Sequence, residues 1–281
     1  MPVSERIDQL QAFLKAHPRL FVLTGAGIST GSGIPDYRDD NGDWKRPAPV
    51  QYRDFVSQPA TRRRYWARSL VGWPWFQRAQ PNLCHQTLAG WETSGLISQL
   101  VTQNVDRLHQ GAGSRQVIDL HGRLDRIICL NCGDRSDRES MQAELSARNP
   151  SFAGLGAEMA PDGDAYIEEA DFQDFEVPAC EGCGGMLKPD VVFFGETIPR
   201  ERVDRAVAAL LGSDALLVIG SSLMVYSGFR FCRLAAKHRI PIAAINPGRT
   251  RADDLINLKL AERFEDVIPT LQEFGPPVTE S

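Results

Sequence analysis

The chain has 281 residues, of which 42% are apolar and 24% charged, and its formal net charge is −5. That length holds one large α/β domain with a smaller module inserted, or two domains, and the composition supports a packed core. The acidic balance gives no electrostatic basis for a nucleic-acid partner, and no apolar run is long enough to span a membrane.

The N-terminus, Met1-Pro2-Val3-Ser4-Glu5-Arg6, lacks the basic flank and apolar stretch of a secretory signal, so the expected compartment is the cytoplasm. Ser4 is placed to cap a helix whose apolar face is Ile7, Leu10 and Leu14, ended by His17-Pro18. Residues 19–24 read as a buried strand. They run into Gly25-Ala26-Gly27-Ile28-Ser29, giving strand, glycine turn and helix start, the opening of a Rossmann-like unit. Residues 40–82 turn aromatic and arginine-rich, with spacing that predicts a helical insertion. A helix near 85–94 and a strand over 97–102 lead into Gln103-Asn104-Val105-Asp106. A short strand at 117–120 ends at His121-Gly122.

Residues 125–187 hold two Cys-x-x-Cys pairs. Between the pairs, positions 133–179 carry twelve acids and three bases, few β-branched residues and the turn signal Ala160-Pro161-Asp162-Gly163-Asp164, which predicts a loop-rich insertion. The α/β pattern then returns, with a strand at 191–194, a helix at 200–211, a strand at 215–220, a helix at 229–238 and a strand at 241–245. Such alternation predicts an α/β fold, a Rossmann-like doubly wound parallel sheet with an inserted small zinc-binding module and a helical insertion. The expected division is 1–124 for the first part of the Rossmann-like domain, 125–187 for the zinc module and 188–281 for the second part.

Three small polar turns, Gly25-Ala26-Gly27, Gly220-Ser221-Ser222 and Asn246-Pro247-Gly248, all follow apolar strands. In a parallel sheet such turns share the ligand-binding edge. The first turn is an incomplete dinucleotide fingerprint, because Thr30 stands where glycine or alanine is wanted; read by itself it is either a nucleotide turn or a turn packed tightly for its own sake. Cys129, Cys132, Cys180 and Cys183 offer four thiolates, a closed tetrahedral set suited to a structural Zn2+ rather than a catalytic one, and each pair is followed by glycine. In a reducing compartment disulfides are not expected, and Cys84 and Cys232 read as small core residues. His121, at a strand end, is the candidate general base, with Asn104 and Asp106 at the next strand end. His17 and His238 read as surface residues, and His85 and His109 as structural.

Seven motifs in this order resemble the sirtuins over about residues 5–275. They are Thr24-Gly25-Ala26-Gly27-Ile28-Ser29 with Gly33-Ile34-Pro35-Asp36-Tyr37-Arg38; Thr102-Gln103-Asn104-Val105-Asp106; Leu120-His121-Gly122; the paired cysteines; Lys188-Pro189-Asp190-Val191-Val192-Phe193-Phe194-Gly195-Glu196; Gly220-Ser221-Ser222; and Asn246. Val105 departs from the usual Ile. The resemblance implies an NAD-dependent protein-lysine deacylase. NAD would be held by Gly25, Ala26, Gly27, Ser29, Asp36, Tyr37, Arg38, Gln103, Asn104, Asp106, Gly220, Ser221, Ser222, Asn246, Pro247, Gly248 and Phe264. Acyl-lysine proteins would lie along Val192, Phe193, Gly195 and Glu196. His121 would act as base on a ribose hydroxyl after nicotinamide leaves, giving free lysine and O-acyl-ADP-ribose, and the chain would act as a monomer.

The acidic loop and the stretch from Tyr65 to Pro74 look like the class II branch, which includes a mitochondrial lipoamidase and ADP-ribosyltransferase and its bacterial relatives. Tyr65 and Arg68 also match the Tyr-x-x-Arg pair with which related desuccinylases hold acidic acyl groups; equally, they read as a core aromatic and a solvated arginine on a helix. Mono-ADP-ribosyl transfer, lipoyl or acidic-acyl removal, a non-catalytic NAD sensor and a hydride-transferring dehydrogenase are the competing readings.

Overall fold

The computed structural model describes residues 3–46, 49–152, 155, 158–159, 163–167 and 172–274. Ala160, Pro161 and Asp162 of the expected turn lie outside the described residues. In chain order the elements are α1 (Val3–Ala16), β1 (Leu20–Thr24), α2 (Tyr52–Ser57), α3 (Pro59–Arg78), α4 (Leu83–Thr93) and β2 (Ile97–Thr102). Then come α5 (Leu108–Gly111), β3 (Val117–Asp119), β4 (Gly122–Cys129), β5 (Arg135–Asp137), α6 (Arg138–Arg148) and the short β6 (Glu158–Met159) and β7 (Ala165–Tyr166). The chain continues through β8 (Leu187–Val191), α7 (Arg200–Leu211), β9 (Ala215–Ile219), α8 (Tyr226–Lys237), β10 (Ile242–Ile245), β11 (Leu258–Leu260) and α9 (Phe264–Val267).

Six of these strands form one parallel sheet in the order β11-β10-β9-β1-β2-β3. The winding reverses between β1 and β9, which is the doubly wound Rossmann arrangement. The alternation of side chains along a strand decides which face each residue serves. Leu20 and Val22 of β1 join Leu217 and Ile219 of β9 in a core with α1 and α4 (Leu10, Leu14, Leu88, Trp91). Phe21 and Leu23 join Leu216 and Val218 on the opposite face, under α7 and α8 (Ala206, Leu210, Phe231, Ala235). Both faces are covered, so β1, β9 and β10 are buried along their whole length. Thr24 pairs with both Thr102 and Ile219, and Ile219 with Ile245, so four strands end level.

Several local expectations are corrected. Ser4 lies inside α1 and is not its cap. Two three-residue 3₁₀ turns, Ala26–Ile28 and Thr30–Ser32, replace the helix expected after β1. No helix dipole therefore faces a ligand there. The strand expected at 191–194 is β8, displaced toward the N-terminus and ending at Val191. The chain turns after Val192 because the Phe193 amide donates to Glu196 Oε2 at 2.8 Å and the Glu196 amide donates to the Phe193 carbonyl at 3.0 Å.

The cysteine insertion is not loop-rich throughout. It contains an antiparallel sheet, β5-β4-β8, and the helix α6, capped by Asp137, whose carboxylate accepts the Ser140 amide at 2.7 Å. Met141 and Leu145 of α6 pack with Phe55, Tyr65, Trp66, Leu70 and Ile127 in one core. The helical insertion and the cysteine module, far apart in sequence, thus share an apolar centre.

Candidate active site

The level strand ends bring their turns together. The Gly25 amide donates to the Ile219 carbonyl at 3.1 Å, and the Gly27 amide to the Gly220 carbonyl at 2.9 Å. A Cβ on Gly25 would lie 2.7 Å from the Ser221 Cβ, and one on Gly27 would lie 3.0 Å from Gly220 Cα. These glycines are therefore required first by the packing of the β1 turn on the β9 turn, and only through that do they shape a site.

Above the joined turns opens a cleft of about 880 Å³, a size that takes a cofactor-sized ligand. Every residue expected to bind cofactor lines it, from Gly25 to Phe264, together with Asn104, Asp106, His121, Val192, Phe193, Gly195, Glu196 and Tyr65. Arg68 does not. Its Nε donates to the Ala165 carbonyl at 2.7 Å and lies 3.5 Å from Asp164 Oδ2, and Asp164 is 3% exposed. The acidic segment thus answers the charge of Arg68, while Tyr65 sits against Phe55 and Phe193 with ring centroids 5.4 and 5.2 Å away.

His121 is partly open to the cleft and gripped from both sides. Its Nδ1 donates to the Gln103 carbonyl at 2.8 Å. The ring's other nitrogen, Nε2, is then the acceptor and takes the Ser227 hydroxyl at 2.8 Å. Burial pushes His121 down to about 4, against the effect of Gln103 and with help from Arg202 and Arg230. The imidazole is therefore neutral at physiological pH and able to receive a proton. Gly122 follows at φ +85°, where a Cβ would strike the Asp190 carbonyl oxygen at 2.1 Å. That close approach seats β4 on β8, and the Val192 amide donates to the His121 carbonyl at 2.7 Å. The imidazole is thereby tied to the segment expected to carry substrate.

The Glu196 carboxylate is turned into its own loop, toward the Phe193 amide and Lys188 Nζ at 3.2 Å, and Lys188 is buried and lies 4.8 Å from the Phe193 ring centre. It serves as a clamp on the loop; the backbone around it still lines the cleft.

At the other end, Ser29 Oγ donates to Asp106 Oδ2 at 2.7 Å and accepts from Asn104 Nδ2 at 3.0 Å. Asp106 Oδ1 accepts the Leu108 amide at 2.9 Å, and burial raises this carboxyl above the usual range. Behind them lie the buried His85 and His109, with ring centroids 4.8 Å apart and His109 Nε2 2.9 Å from Thr24 Oγ1. Neither lines the cleft, whereas His238 is exposed and His17 bonds the Phe13 carbonyl at 2.7 Å.

Asp36, Tyr37 and Arg38, expected to bind cofactor, sit on an irregular segment. Arg38 stacks 3.8 Å over Trp44 and donates to the Gly42 carbonyl at 2.7 Å, and the Arg249 amide bonds the Asp40 carbonyl at 2.7 Å. Trp44, Phe194, Ser227 and Arg230 also line the cleft, and sequence reasoning missed them. Only the aromatic character of Trp44 and Phe194 offered a signal; Ser227 and Arg230 look like any helix residues until α8 is placed.

The four cysteine sulfurs lie within 4.8 Å of one another, with Cys129–Cys183 at 3.5 Å and Cys132–Cys180 at 3.8 Å. Sulfurs about 2.3 Å from a tetrahedral zinc stand roughly 3.8 Å apart, so the cluster fits one structural Zn2+. Gly133 at φ +76° and Gly184 at φ +69° let the two knuckles turn, their amides donating back to the Cys129 and Cys180 carbonyls. Asn131 and the Gly185 amide pull the Cys183 thiol down to about 6. The Asp134 backbone acts to lower Cys132, but its bonds with Cys183, Cys129 and Cys180 together push it up to about 12. Zn2+ takes cysteine as thiolate, so its binding would displace thiol protons. Cys84 and Cys232 are core residues, both raised to about 12 by burial.

The winding order, the cleft at the strand ends and the four-thiolate knuckle set beside it define a dinucleotide-type α/β protein with a structural metal module. The chain's sequence carries this further. Residues 25–227 match the Sir2 family, and the chain belongs to it. Among its relatives is an NAD-dependent protein deacetylase of Bradyrhizobium diazoefficiens, 59% identical over 94% of this chain and 97% of the relative. Another is the mitochondrial NAD-dependent protein lipoamidase sirtuin-4 of Bos taurus, 47% identical over 95% and 86%. A solved Sir2 variant with deacetylated p53 peptide and 3′-O-acetyl ADP ribose superposes with a TM-score of 0.76 at 30% identity, covering 95% of this chain and 97% of that one. No helix among the described residues is long and apolar enough to cross a membrane.

Proposed function

We propose that this chain is an NAD-dependent protein-lysine deacetylase that moves an acyl group from lysine to ADP-ribose and releases nicotinamide. The observation that carries the reading is His121, partly open to the cleft with Nδ1 spent on the Gln103 carbonyl and Nε2 left as the basic atom. The names of the relatives and the peptide complex agree with it. Bound NAD supplies an electrophilic ribose carbon with nicotinamide as leaving group. Asn104, Asp106 and Ser29 hold the nicotinamide end. Gly220, Ser221, Ser222, Asn246, Pro247, Gly248, Phe264 and the loop from Asp36 to Arg38 hold the rest of the dinucleotide. His121 takes the proton of a ribose hydroxyl. Residues 1–124 and 188–281 act as the cofactor domain, and 125–187 as a module that closes the peptide side along Val192, Phe193 and Gly195.

The acyl end is neutral. Tyr65 meets the cleft, but the charge of Arg68 is answered by Asp164, so acetyl and other uncharged acyl groups are favoured over succinyl. We further infer action as a monomer in the cytoplasm, a compartment suited to four cysteines gathered for a metal and two more in the core.

Nicotinamide release by the purified zinc-loaded protein, measured across acetyl-, lipoyl- and succinyl-lysine peptides, tests this. The expected result is NAD-dependent release with the acetyl peptide, O-acetyl-ADP-ribose by mass spectrometry, and a loss of at least about 100-fold in His121→Ala, the scale of a general base. Transfer of ADP-ribose to protein without loss of an acyl group, or full activity of His121→Ala, would overturn it.

A further inference from the structure

The Ser227 hydroxyl touches the one imidazole nitrogen left free for chemistry. We infer that Ser227 is a positioning residue for His121: its hydroxyl and the Gln103 carbonyl hold the ring from opposite sides and fix the tautomer in which Nε2 is the basic atom. The inference rests on His121 being the general base. Three independent features lead to it.

The first is contact. Ser227 Oγ lies 2.8 Å from Nε2 and Gln103 O lies 2.8 Å from Nδ1. With Nδ1 donating to a carbonyl, which can only accept, Nε2 carries the lone pair and the serine must be the donor.

The second is backbone accommodation. Ser227 and Gly228 form the first turn of α8, and a Cβ on Gly228 would lie 2.5 Å from Gln103 Oε1. Glycine there allows the helix start to lie against Gln103 and His121, which sets the serine within reach. Gln103 is in turn fixed by Nε2–H bonds to Ser221 Oγ at 2.8 Å and to the Thr24 carbonyl at 3.2 Å.

The third is the charge around the ring. Arg202 of α7, which donates to the Leu120 carbonyl at 3.2 Å, and Arg230 of α8 both oppose a proton on His121. No carboxylate among the described residues hydrogen-bonds the ring. The orienting task that a buried acid performs in many His-based sites falls here to a carbonyl and a hydroxyl. With the dinucleotide bound, His121 Nε2 would take the proton of a ribose hydroxyl, and the Ser227 hydroxyl would give up its bond to Nε2 while keeping its own proton.

A donor to Nε2 binds only the unprotonated ring, so removing it raises the proton affinity of His121. The test is a side-chain NMR titration of ¹³C-histidine-labelled, zinc-loaded protein. There are five histidines, and the His121 signal is identified by its loss in His121→Gln. Ser227→Ala is expected to raise the His121 midpoint by about half a unit to one unit, the size set by one hydrogen bond. The acid limb of kcat/KM with acetyl-lysine peptide, which reports the free enzyme, moves up equally, with KM for NAD kept. Ser227→Thr retains the hydroxyl and restores both readings, whereas Ser227→Val, of the same shape, does not. A midpoint unmoved in Ser227→Ala, or equal midpoints in the Thr and Val variants, overturns the inference. If His121→Gln turns over peptide at the wild-type rate, the base assignment itself fails; an inactive His121→Gln with an unmoved Ser227→Ala midpoint sinks only the role of the serine.

Discussion

Arg68 and Asp164 form an ion pair just behind a residue that lines the cleft, Tyr65. Arg68 is one turn along α3 from Tyr65, outside the cleft lining, with its guanidinium held by Asp164 and the Ala165 carbonyl. Asp164 is buried beside it, and removing one member of such a pair leaves the other charge uncompensated. Asp164→Asn is therefore expected to destabilise the protein by a few kcal/mol while raising the ratio of succinyl- to acetyl-lysine turnover several-fold. Competition between the two peptides, read by mass spectrometry, checks this. An unchanged ratio would show that Arg68 does not reach the acyl group even when released. Lys188 and Glu196 form the second such pair, and they set the loop shape from Val191 to Glu196 rather than its chemistry.

At the scale of elements, the cysteine module matters to the site because β4 and β8 each end beside His121. Gly122 begins β4 and Val192 follows β8, so the distance between the two strands fixes the edge of the cleft beside His121. The far ends of the same strands run into the cysteine knuckles. Removing the metal is expected to loosen both strands from that end and lower peptide turnover, with NAD affinity largely retained because the six-stranded sheet is untouched. Zinc analysis before and after chelation, with NAD titration and peptide kinetics on the same sample, measures it. Equal loss of NAD binding and turnover would mean that the module supports the whole fold. Rebinding of Zn2+ should release protons, since the metal takes cysteine as thiolate.

The whole molecule carries three imidazoles that burial keeps neutral. His85 and His121 are pushed down to about 4, and His109 lies well below its ordinary 6.5 because of burial and the neighbouring His85. Between about pH 6.5 and 4 the unfolded chain binds protons that the native protein refuses. Stability is thus present above that window and is lost as the pH falls through it. Asp106, raised by burial, acts in the opposite sense as a single group. Melting curves from pH 7.5 to 4.5 should show a falling Tm, and a flat profile would contradict the burial of these rings.

Sequence alone determined what depends on short stretches of chain. The apolar runs of β1, β2, β9 and β10, the polar turns that follow them, His121 at its strand end and the four thiolates are all local patterns. Hydrophobic periodicity and residue chemistry are enough to read them. The mixed strand from Gly122 to Cys129 and helix α6 were missed because half their faces are polar, although Asp137 followed by Met141 and Leu145 held a capping signal. Tertiary structure alone decided the contacts made across long separations. Ser227 meets His121 across 106 residues, Arg68 meets Ala165 across 97, and the cores of α3 and α6 merge. Such meetings follow from sheet order and helix placement, which are set by the packing of the whole molecule and leave no periodic trace in the segments that are brought together.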